Sequence, residues 1–71
     1  MAFDYSKLNG KIIEKYGSRR EFAKAFGVSL QTISQKLNNK VRFSSDDMVK
    51  ASELLGFPPE EISSYFFVPK V

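Results

Sequence analysis

The stretch Ser18-Arg19-Arg20-Glu21-Phe22-Ala23-Lys24-Ala25-Phe26-Gly27-Val28-Ser29-Leu30-Gln31-Thr32-Ile33-Ser34-Gln35-Lys36-Leu37-Asn38 decides the architecture. It opens on a helix start. Ser18 and Glu21 have the spacing of a capping box, in which each side chain bonds the other residue's free amide. Phe22, Ala23 and Phe26 then recur at helical spacing and make one apolar face. Gly27 stops this helix early, because glycine takes the left-handed conformation a helix end requires. Ser29 starts a second short helix as its N-cap. Ile33 and Leu37 anchor that helix, with Val28 in the preceding turn. Two short helices joined by a glycine-containing turn predict a helix-turn-helix unit at about residues 18–38.

Outward from this unit the pattern stays helical. Leu8, Ile12, Ile13 and Tyr16 predict an apolar face on a first helix that runs from about Tyr5 to Tyr16, with Asp4 or Ser6 at its start and Gly17 at its end. Gly10, inside it, marks either close approach of a neighbouring helix or a tolerated surface glycine. Lys7, Lys11 and Lys15 lie on another side and read as a solvated face. A loop from Asn39 to Ser44 carries Lys40 and Arg42. Ser44 or Ser45 caps a fourth helix, with Asp46 and Asp47 well placed against its N-terminal dipole. Met48, Ala51, Leu54 and Leu55 face inward there, and Gly56 ends it. Pro59 opens a fifth helix with Ile62, Tyr65 and Phe66 as apolar positions. Residues 67–71 follow as a tail without an evident partner. The expected fold is all-α: a compact bundle of five short helices in a single domain over 1–71.

Composition narrows the chemistry. The chain has 71 residues, with neither cysteine nor histidine. That excludes disulfides, zinc fingers, histidine general bases and Ser-His or Cys-His nucleophiles. No catalytic residue, metal or cofactor is expected, and the reading is of a protein that is not an enzyme. No apolar run approaches the roughly 18–20 residues needed to span a bilayer, and no signal peptide opens the chain. A cytoplasmic protein with no membrane contact is expected. The net charge of +3 is unevenly placed. Between Lys7 and Arg42, nine cationic residues face only Glu14 and Glu21, whereas acids outnumber lysines from Phe43 onward. The exposed face of the third helix is polar but uncharged (Gln31, Thr32, Ser34, Gln35, Asn38), which suits hydrogen bonding in both directions.

The motif from Ser18 to Ser29, with Gln31-Thr32-Ile33-Ser34-Gln35 and Leu37-Asn38-Asn39-Lys40, resembles the phage repressor and Cro type of helix-turn-helix protein in the xenobiotic-response-element (XRE) family of transcription regulators. The resemblance covers residues 5 to 57. It implies a lambda repressor-like DNA-binding domain whose third helix enters the major groove of a double-stranded operator in the bacterial host. It places Leu30, Gln31, Thr32, Ser34, Gln35 and Asn38 at base edges, with Gln31 and Gln35 the main readers and Leu30 on a thymine methyl. It places Arg19, Ser29, Lys36, Lys40 and Arg42 at phosphates. Lys36 departs from the family pattern, which has an aromatic or aliphatic residue there.

The resemblance further implies a homodimer on a two-fold operator. Ile62, Tyr65, Phe66, Phe67 and Val68 are the candidate dimer or partner interface, and Phe66, Phe67 and Val68 read either as ordinary core closure or as an exposed apolar patch for self-association. The leading expectation is a Cro-like repressor. The alternative is an antirepressor or corepressor that acts by binding another phage repressor, suggested by the acidic second half and the aromatic run Tyr65-Phe66-Phe67.

Overall fold

The computed structural model describes residues 2–70. Five helices follow in order: α1 (Ser6–Tyr16), α2 (Arg19–Phe26), α3 (Leu30–Leu37), α4 (Ser45–Leu55) and, after a 3-10 turn at Pro59–Glu61, α5 (Ile62–Phe66). The all-α bundle expected from the sequence is the fold observed.

Local chemistry sets each boundary. The Asp4 carboxylate accepts the Ser6 amide at 2.8 Å just ahead of α1. Gly17, Gly27 and Gly56 end α1, α2 and α4 in the left-handed conformation. The capping box read at α2 is half made. Ser18 Oγ accepts the Glu21 amide at 3.2 Å, but the Glu21 carboxylate pairs with Lys24 at 3.4 Å. The complete box lies at α4. Ser44 Oγ accepts the Asp47 amide at 3.1 Å, and Asp47 Oδ2 accepts the Ser44 amide at 3.0 Å.

Helix α3 ends without glycine. Asn39 takes φ +63°, the Lys40 amide donates to the Gln35 carbonyl at 2.9 Å, and the Asn39 amide donates to Lys36 at 3.3 Å. This is the Schellman pattern with asparagine at C′, a residue that tolerates the left-handed region.

The core gathers Leu8 and Ile12 from α1, Phe22, Ala23 and Phe26 from α2, Ile33 and Leu37 from α3, Ala51 and Leu55 from α4, and Tyr65 and Phe66 from α5. Phe57 stacks on Tyr65 at 4.0 Å between ring centroids. One reading changes here and one open alternative is decided. Ile13 lies at the surface rather than on the inner face. Gly10 has no neighbouring atom within 4 Å of where a Cβ would sit, so it is a surface glycine and not a point of close approach.

The loop after α3 also enters the core. Phe43 is buried and packs edge-on to Tyr5 at 5.3 Å and Phe66 at 5.0 Å. Residues 67–70 of the expected tail do have a partner, and Val71 lies outside the described residues. The Asp4 amide donates to Val68 O at 2.7 Å and the Lys70 amide to Ala2 O at 3.3 Å. Phe3 and Pro69 form an antiparallel bridge between them. The two ends of the described chain thus clasp each other, with Phe3 set edge-on against Phe67 at 5.7 Å.

Candidate binding site

Helices α2 and α3 pack together around the buried Ala23 and Ile33. Gly27, at φ +90°, makes the turn between them. A β-carbon at Gly27 would meet only Lys50 Nζ at 3.7 Å. The demand for glycine there is therefore conformational and not one of space.

The residues expected to read bases fall into two groups. Gln31 and Asn38 are exposed, and Leu30, Ser34 and Gln35 are half-buried. Thr32 is engaged within its own helix start, its hydroxyl 3.0 Å from Ser29 Oγ. Ser29 Oγ in turn accepts the Thr32 amide at 3.1 Å. The hydroxyls of both residues serve the α3 cap.

Among the expected phosphate contacts, Lys40 and Arg42 are exposed. Arg19 is half-buried, and its Nε donates to Asn9 Oδ1 at 2.8 Å. Lys36 is not a surface cation. Its Nζ lies 2.9 Å from Asp47 Oδ2, donates to the Arg42 carbonyl at 3.2 Å and sits 5.6 Å from the centre of the Phe43 ring. The Lys36 side chain is 11% exposed and that of Asp47 22%. This explains the departure noted in the sequence. The position faces inward, as an apolar residue there would, and a paired lysine fills it. Burial pushes the Asp47 carboxyl up, but hydrogen bonds from Lys36 and the Ser44 amide outweigh it and hold the group below the ordinary carboxylate range.

The expected interface residues are also divided. Tyr65 and Phe66 are buried in the chain's own core. Ile62 and Val68 are half-buried, and Phe67 alone of the five is exposed, at 47%. Phe67 forms part of the rim of an aromatic groove of about 430 Å³ with Phe3, Tyr5, Phe43, Phe66 and Met48, and Arg42 lies at its edge. Phe3 did not stand out in the sequence, because it lies outside any helical repeat, and Tyr5 was read only as the start of the first helix. Burial pushes the Tyr5 phenol above its ordinary value, partly offset by Arg42, so it stays protonated at neutral pH. Among the described residues, no group of three or more acidic, histidine or cysteine side chains is placed to hold a metal ion. No helix among them is long and apolar enough to cross a membrane.

The described residues thus form a small helical bundle with a clasped pair of ends and an open aromatic groove beside them. The chain belongs to the family described as protein of unknown function (DUF739), whose model matches residues 1–69. It is similar to the modulator of repression (MOR) of the temperate bacteriophage TP901-1 from Lactococcus lactis, known from a solution structure. The identity is 48%, over 100% of this chain and 96% of that one, with a TM-score of 0.84. No functionally curated protein matches the sequence.

These findings correct the family inferred from the motif. The matching model is DUF739 and not that of the XRE regulators, and the similar structure is a modulator of repression and not a Cro-like repressor. The physical reason lies in what the motif residues do. A small Ala23, a left-handed Gly27 and a branched Ile33 are what any tight pair of short helices requires. They report packing geometry and say nothing of lineage.

Proposed function

We propose that this chain modulates a phage repressor by binding the repressor protein, in the cytoplasm of the bacterial host and without catalysis. The observation that carries this reading is the full-length likeness to a phage modulator of repression at 48% identity. A likeness that spans both chains supports a shared role as well as a shared fold. It favours the protein-contact alternative over a Cro-like repressor.

The aromatic groove is the docking surface in this reading. Phe67 is 47% exposed beside it, and Val41, next to Arg42, is 41% exposed. Large apolar side chains left open beside a preformed hollow are the usual anchors of protein interfaces, and an arginine at the rim adds a directional contact. The hollow is large enough to receive an apolar side chain from the repressor.

Titration calorimetry between this chain and the repressor of the same phage tests the reading. A saturable complex is expected, weakened by Phe67→Ala. No heat of association with the folded repressor would contradict it.

A further inference from the structure

On the other side of Phe3 and Tyr5 lies a second hollow, a cleft of about 350 Å³. Its polar lining includes Asp4, Asn9, Arg19, Asn38 and Lys70. These residues are contributed by the N-terminal segment, α1, the start of α2, the end of α3 and the C-terminal segment. The sequence gives no hint that they meet.

The charges within the cleft do not balance. Arg19 and Lys70 face one carboxylate, that of Asp4, which already accepts the Ser6 amide at 2.8 Å. Among the described residues, no acidic side chain lies within ion-pair distance of Arg19 or Lys70. The Arg19 guanidinium is nevertheless held in place. Its Nε is fixed on Asn9 Oδ1 at 2.8 Å, which leaves the Nη groups as an oriented pair of donors. A guanidinium presented in this way matches a carboxylate bidentately.

The two hollows are neighbours. Phe3 and Tyr5, whose ring centroids are 6.3 Å apart, line both. A single segment of a partner can therefore straddle this aromatic wall, with an apolar side chain on one side and an acid on the other.

We propose that the Arg19 cleft is a carboxylate site that receives an Asp or Glu side chain of the repressor, beside the apolar residue that enters the groove. The proposal rests on the reading that the partner is a repressor protein. A carboxylate on a side chain enters a recess end-on, whereas a phosphodiester backbone runs continuously and suits a ridge. The walls formed by Phe3, Tyr5 and Leu37 favour the former.

The test measures binding of the same phage's repressor to the full chain and to Arg19→Gln, Arg19→Lys and Lys15→Gln. Gln keeps a donor for Asn9 and Lys keeps the charge, but neither keeps the fork. Both Arg19 variants should bind about tenfold more weakly or worse, the scale of a charge-assisted bond. Lys15→Gln, at an exposed site away from the cleft, should stay within about twofold. Thermal melts confirm that each variant folds. Arg19→Gln binding as tightly as the unaltered chain overturns the proposal. So does a loss seen only with duplex DNA, which would assign the cleft to phosphate.

A second arm titrates the labelled full chain with the α-methylamide of N-acetylglutamate and, separately, that of N-acetylglutamine, which differ only in the side-chain carboxylate, followed by NMR. Only the acid should shift the Arg19 Hε and Asn38 side-chain signals. If the unaltered chain does not bind the repressor, the reading of function falls while this arm still decides the cleft. Equal shifts with both compounds, or none, overturn the carboxylate site.

Discussion

The Asn39 carboxamide brackets the backbone of Phe3. Its Oδ1 accepts the Phe3 amide at 2.9 Å, and its Nδ2 donates to the Phe3 carbonyl at 2.9 Å. One side chain thereby performs two tasks. It occupies the left-handed C′ position of α3 and staples the terminal clasp to the bundle. Phe3, so held, becomes the wall shared by the groove and the cleft.

Substitution separates the two tasks. Asn39→Gly keeps the backbone conformation and loses both bonds, at a cost of about 1–3 kcal/mol. Asn39→Ala should lose about a further 1 kcal/mol to left-handed strain. Urea denaturation gives the order, and amide exchange at Asp4 and Lys70 should quicken in both variants.

The Lys36–Asp47 pair links the end of α3 to the start of α4. Removing either partner leaves the other poorly solvated and should cost about 2–3 kcal/mol, with the double variant less unstable than the sum of the two.

The same carboxylate gives a pH signature. The Asp47 pKa is lowered in the folded chain. Its contribution is therefore fully present above the ordinary carboxylate value and is lost as pH falls through the lower folded value. Stability measured across this acid range should drop less steeply in Asp47→Asn.

Two glycines should respond oppositely to alanine. Gly27→Ala forces a β-carbon into φ +90° and should destabilise by about 1–2 kcal/mol. Gly10→Ala meets nothing within 4 Å and lies inside α1, so it should stabilise by up to about 1 kcal/mol through helix propensity. Paired thermal melts check both signs.

Adjacent phenylalanines separate stability from binding. Phe66 is 0% exposed, and Phe66→Ala should cost about 3–5 kcal/mol. Phe67→Ala, which loses only a half-exposed ring and its edge contact with Phe3, should lower the melting temperature far less than Phe66→Ala while weakening repressor binding.

The helices were legible because their signals are local. Ser18, Ser29, Gly17, Gly27 and Gly56 mark ends, and Phe22, Ala23, Ile33 and Leu55 mark faces. What escaped depends on residues distant in sequence. Phe43 enters the core from a loop that has no periodicity to read. Lys36 and Asp47 lie 11 positions apart, and Lys36 was read as a phosphate contact, set apart only by its departure from the pattern of the resembled family. Phe3 and Phe67 meet because the two ends pair, which no local pattern encodes. The site was therefore less legible than the fold. Phe67 stood out as an exposed aromatic, but the groove it borders did not. The family was misread because Ala23, Gly27 and Ile33 serve the turn rather than the ligand.

The most direct test of the proposed role is titration calorimetry of this chain against the repressor of the same phage, with an operator duplex in a parallel cell. Saturable binding to the repressor, weakened by Phe67→Ala, is the predicted result. Sequence-specific binding to the duplex with no association with the repressor would contradict it.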